Sequence, residues 1–216
     1  MMFQYFAQFF QKYFHSNIKL YLATLTWLLL LGISICILVD YENKPELSTN
    51  APQLWPMNSH LYRVPGKYTL IMSLHPHCAC SRASIQELNL ILARVQHTPL
   101  STYLLFYQSS KFDSSWKETL LWKKTHQLKH VIILEDINGK IAKKFKAATS
   151  GQTVLYSPTG KLLFNGGITP ARGHEGDNAG REAIIALLSQ KSVPRHTSFV
   201  FGCPLFTLTV PGKNHV

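Results

Sequence analysis

The sequence is poor in cysteine and in acidic residues, and it contains no internal repeat or low-complexity tract. Four cysteines in 216 residues are too few for a disulfide scaffold, so a redox or metal role suits them better. The 22 basic residues outnumber the 11 acidic ones, but the lysines are scattered and no nucleic-acid recognition motif accompanies them. The excess positive charge therefore indicates solubility and attraction to anionic lipid headgroups, and nucleic acid is not expected as a partner.

Charged side chains are also missing from residues 20–39, a run of 20 positions. Because about 20 apolar residues cross a bilayer, this run predicts a transmembrane helix; it is long for a signal peptide and lacks Ala-x-Ala spacing at its end. Residues 1–19 place aromatic side chains at helical spacing, which is typical of an interfacial helix. Lys12 and Lys19 precede the span and mainly acidic residues follow it, which favours a single-pass protein of the bacterial inner membrane with its C-terminal domain in the periplasm.

The remaining chain divides into a linker, a domain and a tail. Residues 40–66 are rich in Pro, Asn and Ser and predict a linker, residues 67–191 form the main domain, and residues 192–216 form a tail that carries Cys203. In the domain, apolar runs alternate with segments of helical periodicity, which predicts an α/β fold with a parallel sheet portion and a final antiparallel hairpin. The predicted strands are 68–74, 101–107, 131–135, 153–157 and 161–165, and the predicted helices are 82–96, 116–128, 140–145 and 179–190.

Cys78 and Cys80 fall where the first predicted strand leads into a helix. Backbone N–H groups of a first helical turn favour thiolate over thiol, so these two cysteines are the leading candidates for chemistry, with their sulfurs expected to be exposed. A cysteine pair at the first strand-to-helix turn of this element order resembles the thioredoxin fold. The glycine-rich block 166–180 is interpreted either as an anion site with Arg172 and Arg181 or as a loop that packs on the cysteine turn.

Four blocks together resemble the bacterial thioredoxin-like proteins called RedB-like, over roughly residues 54 to 206. The resemblance implies a thioredoxin-like fold and a redox association. The blocks are His75-Pro76-His77-Cys78-Ala79-Cys80-Ser81-Arg82-Ala83-Ser84, Ala148-Thr149-Ser150-Gly151-Gln152, Gly166 to Arg181, and Phe201-Gly202-Cys203-Pro204-Leu205.

The chain departs from ordinary thioredoxins at two places. Their motif is Cys-x-x-Cys, whereas one residue separates Cys78 from Cys80 here. They also carry a cis-proline that faces the cysteines, and the corresponding place reads Ser150-Gly151-Gln152. Gln152 is therefore expected to border the site.

The favoured hypothesis is a membrane-anchored thiol–disulfide oxidoreductase that needs no cofactor. Cys78 or Cys80 would be the nucleophile, Cys203 could resolve the intermediate, and the partner would be a protein that bears thiols or a disulfide. Five residues are expected to tune the site: His75, His77, Arg82, Gln152 and His174.

The alternative is a copper-binding metallochaperone or assembly factor, because thiolate and imidazole together suit Cu(I). It would resemble the membrane-tethered thioredoxin-like assembly factors of cytochrome oxidase. Its candidate ligands are His75, His77, Cys78, Cys80, His174 and Cys203. A scaffold without turnover is a third hypothesis.

Overall fold

The computed structural model describes residues 2–46, 50–109 and 117–206, and its contacts separate a first unit that ends at Glu42 from a second unit that begins at Asn43. The first unit is helical, within α1 (Met2–Asn43). Over Asn17–Asn43 this helix is exposed, and it is the one helix among the described residues long and apolar enough to cross a membrane. It is compatible with a membrane anchor or with a signal sequence.

The second unit is a five-stranded mixed sheet with helices attached. The strands follow the apolar runs of the sequence closely, because each run is bounded by turn residues or by a helical pattern. Their bounds are β1 (Tyr68–Leu74), β2 (Leu100–Gln108), β3 (Val131–Ile137), β4 (Thr153–Tyr156) and β5 (Leu162–Gly166). The helices are α2 (Ala79–Arg94), α3 (Leu120–Thr125), α4 (Lys140–Lys144) and α5 (Ala179–Leu188).

The strand order is β3-β2-β1-β4-β5, which places β1 at the centre of the sheet. β1 pairs in parallel with β2, and β2 in parallel with β3, whereas β4 runs antiparallel to both β1 and β5. The predicted combination of a parallel portion with an antiparallel hairpin is confirmed. Because β1 is central, the turn that follows it, with its two cysteines, lies in the middle of the sheet at the carboxyl ends of the parallel strands.

Successive residues of β1 point to opposite faces of the sheet and are buried in two separate apolar clusters. Leu70, Met72 and Leu74 belong to the cluster that contains the buried faces of α2 and α5. Ile71 belongs to the opposite cluster, against which Trp55 packs. A segment of the predicted linker, together with α4, thus covers one face of the sheet, while α2, α3 and α5 cover the other, as expected for a sheet with both faces buried.

One helix is shorter than the periodicity of the sequence predicts. The pattern over residues 116–128 predicts a helix of that length, but α3 begins after Thr119, whose hydroxyl accepts the Trp122 N–H at 3.3 Å. Threonine is a favoured N-cap residue, and this signal marks the observed start. Trp116, with which the predicted helix begins, lies outside the described residues.

Candidate functional site

The candidate site lies at the carboxyl end of β1, where the chain turns into α2. Cys78 is the N-cap of α2, and its extended backbone (φ −94°, ψ 125°) leads into the helix, while Cys80 lies in the first helical turn. The Cys78 N–H donates to the carbonyl of His75 at 3.2 Å, which closes the turn. The prediction that both cysteines lie at a strand-to-helix junction is confirmed.

Two buried serines, Ser81 and Ser150, hold this turn by hydrogen bonds. The sequence alone assigned them no role. The hydroxyls of Ser81 and Ser150 lie 2.6 Å apart. Ser81 donates to the His75 carbonyl at 2.7 Å, and Ser150 accepts the His75 N–H at 2.9 Å. The turn after β1 is therefore fixed to the segment before β4, so the cysteines have a rigid support.

After α5 the predicted tail returns to the sheet, and from here on the word tail denotes residues 196–206 of it, which lie within the described part of the chain. It first runs beside β5: the Asn165 N–H donates to the His196 carbonyl at 3.0 Å and the Gly167 N–H to the Phe199 carbonyl at 3.1 Å. The Ser198 hydroxyl adds a bond of 2.6 Å to the Gly167 carbonyl. The tail thus covers the edge of the sheet that β5 would otherwise expose.

The tail then crosses to the cysteine turn and pairs with residues 148–150. The Ser150 N–H donates to the Cys203 carbonyl and the Leu205 N–H donates to the Ala148 carbonyl, each at 2.8 Å. Thr149 and Pro204 form the antiparallel bridge between these two bonds. This pairing fixes the backbone of Cys203 beside α2.

The pairing brings three sulfurs together. The Sγ atoms of Cys78 and Cys203 are 2.7 Å apart, and Cys80 follows Cys78 in the first turn of α2, where its thiol affects the pKa of Cys78. The expected exposure of the paired cysteines is wrong: Cys78 is 5 % exposed and Cys80 6 %. Cys203 contacts the first sulfur, and Gly173 lies against Ala79, which separates the two cysteines, so segments distant in sequence enclose the pair.

The three thiols differ in their protonation. The hydrogen bond from Cys80 lowers the pKa of Cys78 to about 4 against the opposing effect of burial, and Cys203 contributes a further bond. That same hydrogen bond, with burial, raises the pKa of Cys80, and burial with the bond to Cys78 raises the pKa of Cys203 to about 12. These opposite shifts favour Cys78 as the thiolate among the three sulfurs, with Cys80 and Cys203 as thiols.

His75 and His77 lie at the same turn in different surroundings. His75 is half-buried with its ring stacked on Tyr107 at a centroid distance of 6.1 Å, and its Nδ1 accepts the His77 N–H at 3.3 Å. Burial lowers the pKa of His75, an effect that the nearby Cys78 partly offsets. His75 is therefore neutral at neutral pH. His77 is exposed, and its ring lies 6.3 Å from that of His75.

The other predicted tuning residues lie around the turn rather than at the sulfurs. Arg82 is exposed and lines a cavity of about 390 Å³ with side chains of α2 and of the α3 region. Gln152 is buried, accepts the Ala148 N–H at 3.1 Å and donates to Asn165 at 3.0 Å, so it holds the segment with which the tail pairs. His174 is exposed and follows Gly173, which lies against Ala79.

The glycine-rich block packs against the tail. A methyl group at Gly166 would lie 2.3 Å from the Ser198 hydroxyl, and one at Gly167 would lie 2.5 Å from the Phe199 carbonyl. These approaches are closer than any side chain tolerates, so the glycines are required by packing. Of the two interpretations offered by the sequence, the structure favours packing, but Gly166 and Gly167 pack against the tail and only Gly173 lies against Ala79 of the cysteine turn.

The two arginines of this block form ion pairs within the protein. Arg181 binds Glu87 at 2.7 Å, Asp177 at 2.9 Å and Glu182 at 3.0 Å. Arg172 binds the carboxylate of Glu46. Both guanidinium groups thus have carboxylate partners in the chain itself.

Metal binding has no geometric support among residues 2–46, 50–109 and 117–206, where no group of three or more His, Cys, Asp or Glu side chains is arranged to hold an ion. The copper alternative was drawn from residue types and spacing, and it stays a prediction. Its ligand sulfurs are the same three that form the cluster of thiols.

Comparison with known proteins finds similar structures at low identity. No family model and no curated protein matches the chain. An uncharacterized conserved protein from Geobacillus kaustophilus aligns at 19 % identity and a TM-score of 0.56, over 78 % of this chain and 96 % of that chain. A hypothetical protein from Sinorhizobium meliloti aligns at 18 % and 0.53, over 76 % and 96 %. A secreted Mycobacterium tuberculosis disulfide oxidoreductase homologous to E. coli DsbE aligns at 12 % and 0.40, over 58 % and 83 %.

The second unit has a thioredoxin-like fold. The central β1, the helix that begins directly after the cysteine turn and the antiparallel β4–β5 hairpin define it. At these identities the similarity concerns the fold alone, so a reaction has to be argued from the residues of the site.

Proposed function

We propose that this chain is a membrane-anchored thiol–disulfide oxidoreductase whose redox pair is Cys78 and Cys203. The observation that carries the proposal is the 2.7 Å separation of their Sγ atoms, with Cys78 at the N-cap of α2 and Cys203 fixed on the opposite side by backbone pairing. A thiolate and a thiol at this distance need little movement to form a disulfide. Cys80 supports the pair because its thiol lowers the pKa of Cys78.

The reaction is a two-step exchange with a protein dithiol. A partner thiolate attacks Cys203 in the Cys78–Cys203 disulfide, since Cys203 is the more exposed sulfur, and Cys78 leaves as the thiolate. The second thiolate of the partner then attacks the partner sulfur that is bonded to Cys203. The partner disulfide forms, and Cys203 leaves and takes up a proton. The partner is oxidised to a disulfide, the pair is reduced by two electrons, and a second, disulfide-bearing protein reoxidises it.

This direction of electron flow follows from the stability of the reduced state. A low-pKa thiolate is a good leaving group, and its stabilisation makes the corresponding disulfide a stronger oxidant. We therefore propose that the chain oxidises protein thiols. A position outside the cytoplasm suits that chemistry, with α1 as the anchor and with the orientation inferred from its flanking charges. Membership of the RedB-like family is proposed on the residue blocks alone.

Exchange activity tests the proposal on the full chain in detergent. We expect oxidised protein to convert a reduced dithiol peptide to its disulfide, and we expect Cys78→Ser and Cys203→Ser to fall to the rate of a sample without protein. Cys36→Ser is the matched control, because Cys36 lies exposed on α1. Full activity in Cys78→Ser would contradict the proposal.

The thiolate also predicts a pH-dependent stability. Cys78 has a pKa of about 4 in the folded chain, and about 8.5 is ordinary for an unfolded thiol. Between these values the unfolded chain binds the extra proton, so the free energy of unfolding should rise with pH by at most about 1.4 kcal/mol per pH unit and be lost as pH falls through the folded pKa. Urea midpoints of the wild type and Cys78→Ser, compared across this window, measure the slope; equal slopes would show that Cys78 is not a thiolate.

A further inference from the structure

Arg172 lies between the tail and the segment that follows α1. Its Nη1 donates to the Gly202 carbonyl at 2.7 Å, and its Nη2 donates to the Glu46 carboxylate. The side chain is only 10 % exposed, so these bonds are largely shielded from water. Charge-assisted bonds in such surroundings are stronger than those between neutral groups.

The contact acts directly on the residue before Cys203. The carbonyl on the amino-terminal side of Cys203 accepts from Arg172, and the carbonyl of Cys203 itself accepts from Ser150 at 2.8 Å. The two successive carbonyls are therefore held by different parts of the fold. A backbone tied on both sides of a residue leaves its sulfur few positions.

Glu46 ties the same stretch of tail a second time. Its N–H donates to the Val200 carbonyl at 2.9 Å, and the two residues form an antiparallel bridge. Its carboxylate receives Arg172. Glu46 thus binds the tail through its backbone. Through its side chain it binds Arg172, which holds the tail at Gly202.

We propose that Arg172 is a positioning residue, which together with Glu46 holds Cys203 against Cys78. The inference rests on the proposed function. It assigns a role in that function to two residues, Arg172 and Glu46, that contact neither sulfur. Its chemical consequence is a high effective concentration of one thiol at the other, which favours the disulfide within the chain over mixed disulfides with small thiols. Burial raises the pKa of Cys203, whereas the nearby charges act in opposite directions: Arg172 lowers this pKa and Glu46 raises it, so the role of the pair is to position the sulfur.

The test is a redox equilibrium of the full chain in detergent with glutathione, in which thiols are trapped by alkylation and counted by mass. The loss of one charged hydrogen bond predicts that Arg172→Gln lowers the effective concentration of the pair by about 10-fold or more. Arg172→Lys, which keeps the charge, should retain part of the effect, and Glu46→Gln should shift in the same direction as Arg172→Gln. Arg195→Gln is the matched control, because Arg195 is exposed, and it should leave the equilibrium unchanged.

The outcomes separate this inference from the proposed function. If the wild type forms the Cys78–Cys203 disulfide and both Arg172→Gln and Glu46→Gln match its equilibrium, Arg172 does not position Cys203 although the redox pair stands. If the wild type forms no such disulfide, the proposed function fails and the inference with it. Near-ultraviolet circular dichroism establishes folding, and Glu46→Gln decides the matter if Arg172→Gln does not fold, since the Glu46 side chain is 37 % exposed.

Discussion

Replacing Gly202 by alanine is expected to detach Cys203 from Cys78 and to lower the effective concentration of the redox pair by at least about 100-fold. A methyl group at this position would lie 1.9 Å from the Ser150 carbonyl oxygen and 2.9 Å from its carbon. These atoms belong to the backbone segment that pairs with the tail, so they cannot move away from the new methyl group without breaking that pairing. The tail would have to leave, and it would take Cys203 with it.

The same glutathione equilibrium measures the effective concentration of the redox pair in this variant. The alkylation rate of Cys78 measures independently whether its sulfur has become accessible. Because the Cys78 side chain is buried in the wild type, we expect it to react faster in Gly202→Ala. Gly32→Ala is the matched control, since a methyl group there meets no atom within 4 Å. Wild-type values for Gly202→Ala in both measurements would show that the tail does not lie on residues 148–150 in this register.

Replacing Glu87 by glutamine is expected to cost about 3 kcal/mol of stability, the lower end of the range for breaking a buried ion pair. Glu87 lies on α2 at 1 % exposure, and its carboxylate receives Arg181 at 2.7 Å and the Gly176 N–H at 2.7 Å. It also receives the side-chain amide of Asn178, the N-cap of α5, at 3.3 Å. The variant would leave part of the positive charge of Arg181 uncompensated in the protein interior.

Glu182→Gln is the matched control for this prediction. It removes a carboxylate from the same guanidinium, at 3.0 Å, but its side chain is 51 % exposed. An exposed pair contributes under about 1 kcal/mol, so the control should lie close to the wild type. Urea midpoints of the full chain, followed by tryptophan fluorescence, compare the two. Equal losses would mean that Glu87 is not the dominant partner of Arg181.

The strands of the sheet, its parallel portion and its antiparallel hairpin could be predicted from the sequence, because the strands are apolar runs separated by clear turn signals. β1 was expected at 68–74 and is found there, and the cysteine turn follows it as expected. Hydrophobic periodicity records burial directly, which is why elements with a buried face are recovered well.

The tail could not be predicted in the same way. Its pairing with residues 148–150 uses backbone groups, which every non-proline residue possesses, so side-chain patterns do not reveal it. The expected exposure of Cys78 failed for that reason, since the enclosing Cys203 comes from far along the chain. Gly202 directly before Cys203 was a signal of close backbone approach that the sequence did contain. An anion site with Arg172 stayed open as one of two interpretations because its carboxylate partner, Glu46, is remote in sequence.

Disulfide mapping of the oxidised full chain tests the central claim most directly. After oxidation, free thiols are alkylated and the unreduced protein is digested with trypsin, which releases Cys78 and Cys80 on residues 68–82 and Cys203 on residues 196–213. The account predicts a cross-linked pair of these peptides, with fragmentation placing the bond on Cys78 and the alkyl group on Cys80. A bond within residues 68–82, or alkylated Cys203 in the oxidised protein, would contradict it.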